Sequence, residues 1–244
     1  MPDNQKVALH IHVYYPDLLS EIVTRFSFIK IQPDIFISIN SEDVRDEVNN
    51  ALNNYSGRIV EIQCVPNRGR DLGPFFTVFG ESLLNNYDFV GHIHTKKSNH
   101  DKDADYGNLW FQFLLINLLG DNSNAMADHI LTKLYQDPTI GMVFPDDANI
   151  FGWTANLATA EPLAKRLGLD KLPENFNFPM GSMFWARSSA LAPLINLNFT
   201  WNDYPNEPVS YDGTMLHAVE RLLSLSCSLN NLRYATTNVN GVTR

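Results

Sequence analysis

The chain reads as an α/β protein, a single domain built on a mainly parallel sheet flanked by helices. Three observations predict this. Short apolar runs alternate with helical segments through the first half, the pattern of parallel strands joined by crossover helices. The 244 residues are 44% hydrophobic, with 15 Phe, 9 Tyr and 4 Trp, enough to bury one large core without disulfides or metals. No internal repeat and no low-complexity linker divides the chain.

The elements follow in order. Val7 to Tyr15 is a first strand, and Pro16-Asp17 opens a helix from Leu18 to Phe26. Asp34 to Asn40 is a second strand. Ser41 is the expected N-cap of a helix from Glu42 to Leu52, with acidic residues in its first turn. Ile59–Val65 alternates as a third strand and runs into Pro66-Asn67-Arg68-Gly69-Arg70-Asp71-Leu72-Gly73-Pro74, after which a helix reaches Leu84. Phe89 to Thr95 is a further strand, followed by a polar loop from Lys96 to Asp105 that suits a mobile lid. Helices are expected over Asn108–Leu119, nearly all apolar and so buried, and over Ala125–Tyr135. Then come a strand at Ile140–Phe144, a helix at Glu161–Leu167, a strand at Ser182–Ala186, a helix over Ser189–Ile195 capped by Ser188, and a last helix at Gly213–Leu225.

Charge and cysteine content exclude several functions. A net charge of −9 leaves no broad basic footprint, so nucleic acid is not an expected partner. What positive charge there is clusters locally, at Arg68/Arg70 and Lys96/Lys97, the sign of a confined anion site. The two cysteines, Cys64 and Cys227, read as small core residues of a reducing compartment. No transmembrane segment is expected, since no run reaches the roughly 18 apolar residues a bilayer requires. The N-terminus lacks the pattern of a secretory signal. The expected location is cytoplasmic, with room for work at the inner face of the membrane.

The candidate chemistry lies where strands end, because open α/β sheets bind ligands at the carboxyl ends of their strands. Arg68, Gly69, Arg70 and Asp71 sit at such an end. The arginines can fork onto phosphate or carboxylate oxygens, and the glycine permits close backbone approach. The competing reading is a turn closed by its own Arg–Asp pair. His10 and His12 share one strand face, as do His92 and His94, and two such pairs on adjacent strands could ligate a metal or pack internally. His94, Thr95 and Lys96 offer only donors at a strand end, which suits phosphate. Asp146 and Asp147 follow the Ile140–Phe144 strand. They are the fallback site for Mg²⁺ or Mn²⁺, or else simple turn residues. Asp212 is the expected base, doubling as helix N-cap, and His217 lies a turn further on. Glu220-Arg221 reads as a surface or structural pair. Trp153 and Trp185 are candidates to stack on sugar, although most tryptophans are core.

Taken together, His10-Ile-His12-Val-Tyr14-Tyr, Asn67-Arg-Gly-Arg-Asp-Leu-Gly-Pro, His92-Ile-His94-Thr-Lys-Lys-Ser and Asp212-Gly-Thr-Met-Leu-His217-Ala-Val-Glu220-Arg resemble the rhamnan synthesis protein F family. Its members are associated with assembly of rhamnose-containing cell-surface polysaccharides. The order of parts is also similar to the glycosyltransferase A fold. The resemblance implies transfer of a sugar, rhamnose by association, from a nucleotide diphosphate donor such as dTDP-rhamnose to a saccharide acceptor, among other glycan-assembly proteins. It implies that Arg68, Gly69, Arg70, Asp71, His94, Thr95 and Lys96 hold the diphosphate. His10, His12, Tyr14 and Trp185 would line the nucleotide or sugar, with Asp212 as base and His217 beside it. One departure stands out: those enzymes carry an Asp-x-Asp metal motif where this chain has His92-Ile-His94-Thr-Lys-Lys. Cationic side chains would then replace the metal in neutralising the leaving diphosphate. A non-catalytic domain that binds glycan or scaffolds a partner is the alternative.

Overall fold

The computed structural model describes residues 4–95, 104–149 and 152–242. The described chain forms one seven-stranded sheet of order β3-β2-β1-β4-β6-β5-β7. In chain order the elements are β1 (Val7–Val13), α1 (Leu19–Arg25), β2 (Asp34–Ile39), α2 (Arg45–Leu52) and β3 (Ile59–Cys64). A helix in three parts follows: α3 (Leu72–Pro74), a π-helical turn at Phe75–Phe79 and α4 (Gly80–Asn86). Then come β4 (Phe89–His94), α5 (Ala104–Leu118), α6 (Met126–Gln136), β5 (Ile140–Pro145) and α7 (Leu157–Leu167). The chain closes with β6 (Phe184–Arg187), α8 (Ser188–Ile195), α9 (Met215–Ser226) and β7 (Arg233–Thr237).

The expected α/β class and mainly parallel sheet are what the fold shows. β1 pairs in parallel with β2 and β4, β2 with β3, and β5 with β7, while β6 runs antiparallel between β4 and β5. Two packed layers cover the sheet. Leu9, Ile11, Val13 and Ile93 face α1, α2, α5 and α6, while Ala8, Phe36, Val90 and Phe184 face the α3–α4 helix and α7 to α9. Such a three-layer arrangement is consistent with the glycosyltransferase A expectation. All strands but β6 point the same way, so their carboxyl ends share one edge, and there the amino end of β6 joins them.

Several boundaries differ from the sequence reading. β7 was not anticipated: Arg233–Thr237 is short and half exposed, and it becomes a strand only by pairing along β5. Asp212 does not cap the last helix. Thr214 holds the N-cap position and helix begins at Met215. Ser188 is itself helical, with Arg187 at the cap. Ser41 does cap as expected, its side chain accepting from the Asp43 amide ahead of a 3₁₀ turn that leads into α2. Of the loop expected over 96–105, residues 96–103, Lys96, Lys97 and Ser98 among them, lie outside the described residues, and Ala104 already opens α5. Both cysteines are free.

Candidate functional site

The turn between β3 and α3 is built by backbone geometry. Gly69 has φ +77°, and a Cβ there would stand 2.8 Å from Gly73 Cα and 2.9 Å from the Tyr204 ring, so the position requires glycine. Arg70 is also left-handed, at φ +50°, a strain that non-glycine residues hold only when the surroundings fix them. The two arginines part company here. Arg68 is spent on structure: its Nε donates to Tyr204 O at 2.8 Å, and its two Nη atoms reach Asn202 Oδ1 and O at 3.4 and 3.3 Å. Arg70 is 42% exposed and loosely held, 3.3 Å from Val209 O and 3.8 Å from Glu207 Oε1. Of the pair, Arg70 is the one with a guanidinium to offer a ligand.

Asp71 turns inward onto the sheet. The parallel register sets His10 beside His92 and His12 beside both His94 and Ser38, on the face covered by the α3–α4 helix. These side chains form one buried hydrogen-bonded row. Asp71 Oδ2 lies 3.2 Å from His92 Nε2, His92 Nδ1 lies 3.0 Å from His10 Nδ1, and His10 Nε2 lies 2.9 Å from Ser38 Oγ. Ser38 Oγ in turn lies 2.8 Å from His12 Nδ1. Phe75 and Phe79 of the π-helical turn lie against His10, at ring separations of 5.7 and 5.0 Å. Burial lowers the pKa of His10, His92 and His12, the last to about 3, so these rings are neutral at neutral pH. Burial pushes the Asp71 carboxyl up, but the neighbouring His94 and the hydrogen bond from His92 outweigh it and hold it below the usual carboxylate range.

His94 is committed elsewhere. Its Nε2 donates to Gly181 O at 2.7 Å, in the turn before β6, and Glu220 Oε1 accepts from the Gly181 amide at 2.7 Å. Thr95 fastens the ends of β1 and β4: its Oγ1 accepts from the Tyr14 and Tyr15 amides at 2.9 Å each. Tyr14 stays partly exposed at this edge.

Asp212 sits in a polar cluster. Its Oδ1 accepts from Asn156 Nδ2 at 2.6 Å and its Oδ2 from Thr154 Oγ1 at 2.9 Å, with Arg221 Nη2 at 4.0 Å. Burial raises its pKa, but the Asn156, Thr154 and Gly213 hydrogen bonds and the Arg221 charge outweigh it and bring the carboxyl to about 2. Arg221 is not a surface residue. It is buried, stacks 4.5 Å from the centre of Phe178, and donates to Gly152 O, His217 O and Thr154 Oγ1. His217 is half-buried, with its Nδ1 2.8 Å from Thr214 Oγ1. Burial and then the Arg70 charge lower its pKa, while Asp212 and Asp71 oppose them, so His217 lies within electrostatic reach of both halves of the edge.

Other expectations meet a different fate. Trp185 is corrected to a core residue: no part of it is exposed, and its indole N–H donates to Leu118 O at 2.9 Å. Trp153 is buried in the same way, bonded to Pro173 O. The two histidine pairs do not make a metal cage. Among the described residues no group of three or more His, Cys, Asp or Glu is arranged to hold an ion. Asp146 accepts from Asn177 Nδ2 at 3.1 Å, and Asp147 Oδ1 closes a turn onto the Asn149 amide and side chain, both at 3.0 Å. That geometry fits turn residues better than an ion site. Sequence reasoning missed Ser38, Asn156 and Thr154; of the two readings it gave Glu220-Arg221, the structural pair is the one formed, at 3.3 Å. Ser38 carried a signal, as the one polar residue inside the apolar run Ile35–Ile39.

The fold and this edge define the class: an α/β domain with charged and polar groups gathered where parallel strands end, the usual place for a ligand. The chain belongs to the family described as rhamnan synthesis protein F, whose model matches residues 1–230. It is also similar to a protein named uncharacterized protein WxcX in Xanthomonas campestris pv. campestris strain B100, 32% identical over 231 residues, 93% of this chain. WxcX of strain ATCC 33913 matches to the same extent. The chain spans about a third, 32%, of the length of these relatives. Membership ties the chain to rhamnan and polysaccharide synthesis. No helix among the described residues is long and apolar enough to cross a membrane.

Proposed function

We propose that the domain transfers a sugar, rhamnose by family association, from a nucleotide diphosphate donor to a saccharide acceptor during cell-surface polysaccharide assembly. The observation that carries this reading is the meeting of Arg70 with the loop ahead of Asp212. Arg70 contacts Val209 and Glu207, and His217 feels Arg70, Asp212 and Asp71 together. An anion held at Arg70 would stand beside a carboxylate suited to the acceptor side.

In the proposed step the acceptor hydroxyl oxygen bonds to the anomeric carbon. The bond from that carbon to the diphosphate oxygen breaks, and the nucleoside diphosphate leaves with the electron pair. The hydroxyl proton passes to Asp212. A carboxylate with a pKa of about 2 is a weak base. It takes the proton late, once the new bond has made the oxygen acidic. His94 and Thr95 shape the strand end rather than grip phosphate, and the metal question is one for titration.

The test is calorimetric titration of the chain with dTDP and with UDP, each with and without Mn²⁺, followed by turnover of dTDP-L-rhamnose. Binding lost in Arg70→Ala, and turnover reduced about 10²- to 10⁴-fold in Asp212→Asn with binding kept, support the proposal. Full turnover in Asp212→Asn removes Asp212 from the role. The observation that both Asp212 oxygens are already hydrogen-bonded favours a second reading, a non-catalytic glycan-binding domain. That reading expects saccharide binding with no release of nucleoside diphosphate.

A further inference from the structure

The buried row from Asp71 to His12 has a direction. Asp71 is ionised and only accepts, so His92 Nε2 carries a proton. A neutral His92 then has a bare Nδ1, and the proton in the 3.0 Å contact belongs to His10 Nδ1. His10 Nε2 is therefore bare and accepts from the Ser38 hydroxyl at 2.9 Å. The only proton of Ser38 is used there, so its oxygen accepts from His12 Nδ1–H at 2.8 Å. Every contact has one donor and one acceptor, and the tautomers follow from the network. The row ends at His12 Nε2, which must present a lone pair. His12 is the next-to-last residue of β1, at the ligand edge, and 6% exposed. Among the described residues His12 has its one side-chain hydrogen bond through Nδ1.

We infer that His12 Nε2 is a fixed hydrogen-bond acceptor for the ligand and takes a hydroxyl of its sugar or ribose, not a phosphate oxygen. This rests on the nucleotide-sugar reading of the site. A phosphate oxygen has only lone pairs to bring, and two facing acceptors repel, whereas a hydroxyl has a proton to give. Asp71 acts here as a positioning residue: through its contact with His92 its charge fixes the polarity of the three rings beyond it. The edge thus divides by chemistry, with the anion at Arg70 and a neutral hydroxyl at His12.

The test is ¹⁵N NMR of the histidine side chains in the whole chain, assigned by single substitution, with dTDP-L-rhamnose, methyl α-L-rhamnoside and inorganic pyrophosphate as probes. The expected free state has His12 protonated at Nδ1 and bare at Nε2. Nucleotide sugar should move the Nε2 signal toward the hydrogen-bonded range with the Nδ1 proton kept, and pyrophosphate should leave both unchanged. Ser38→Ala removes one oxygen and cuts the row next to His12. It should mix the His12 tautomers and weaken nucleotide-sugar binding roughly 3- to 10-fold, with pyrophosphate affinity unaltered. An Nε2–H tautomer in the free chain, or His12 doubly protonated on pyrophosphate, overturns the inference. So does nucleotide-sugar binding that leaves His12 unmoved. If dTDP-L-rhamnose does not bind, the nucleotide-sugar reading is the one that fails for this donor. Methyl rhamnoside then decides alone: a shifted Nε2 supports the acceptor role and an unshifted one ends it.

Discussion

β1 and β4 show two buried faces of opposite character. On one face Leu9, Ile11, Val13 and Ile93 pack as the interior of a parallel sheet should. On the other, His10 and His92 lie just as deep and His12 and His94 almost so, with Ser38 beside them. The apolar face gains stability from burial alone. The histidine face would forfeit it if any polar atom lost its partner, since an unmatched buried polar group is costly. The first face is what the fold needs. The second is tolerated because its hydrogen bonds close from Asp71 to His12, and that closure gives the ligand edge a fixed polarity.

The comparison can be broken most severely on the apolar face. Ile11→Ala should cost about 2 to 5 kcal/mol, read as a lower urea midpoint, with ligand affinity of the folded protein unchanged. His92→Leu fills similar space but orphans Asp71 and the His10 Nδ1–H. It should cost about 1 to 3 kcal/mol and also weaken ligand binding. If the two variants lose stability alone and to the same degree, the faces do not differ in role.

pH separates the faces without mutation. The folded pKa values of His10, His12 and His92 lie below the ordinary 6.5, so below that pH the unfolded chain binds more protons than the folded one. Their contribution is complete above pH 6.5 and is lost as pH falls, for His12 toward about 3. Asp212, lowered from 3.8 to about 2, adds loss of the same sign only in that more acid range. Denaturant titrations from pH 7 to pH 4 should therefore show falling stability, with a shallower slope in His12→Gln. The apolar face contributes no slope.

The smallest effects distinguish the two arginines. Arg68→Ala, which frees the Asn202–Tyr204 loop, should cost about 1 kcal/mol. Arg70→Ala should change stability by less than about 0.5 kcal/mol and yet abolish dTDP binding. Thermal melts beside calorimetry would show whether stability and binding divide in this way.

Much of the fold could be read along the chain. Alternation announced β1 and β3, Ser41 announced the turn into α2, and the apolar run at Asn108–Leu119 announced α5, which is mostly buried from Phe111 onward while Leu109 stays exposed. β7 could not be read, because Arg233–Thr237 has little apolar character and is a strand only through its partner. In the site, the i, i+2 spacing placed His10 with His12 and His92 with His94 on shared faces. Whether those pairs would meet around an ion or through shared protons depended on the register of β1 against β4 and on Ser38 arriving from β2. Arg68 and Arg70 are alike in sequence and opposite in use, since a loop more than 130 positions away claims one and leaves the other. Asp212 stood out as an acid before a helix, and Arg221 comes from that same helix, but Asn156 and Thr154 came from a segment 56 and 58 positions earlier in the chain.

The sequence by itself thus determined the α/β class, the strands with clear alternation, the charged turn after β3 and the family. Those features rest on periodicity and local chemistry, which act over a few residues. Tertiary structure alone decided the antiparallel β6, the closing β7, the division of labour between the arginines and the one-way row from Asp71 to His12. Each of these depends on which distant segments are brought within 3 Å or so of one another, and a hydrogen bond has no strength until that distance is reached.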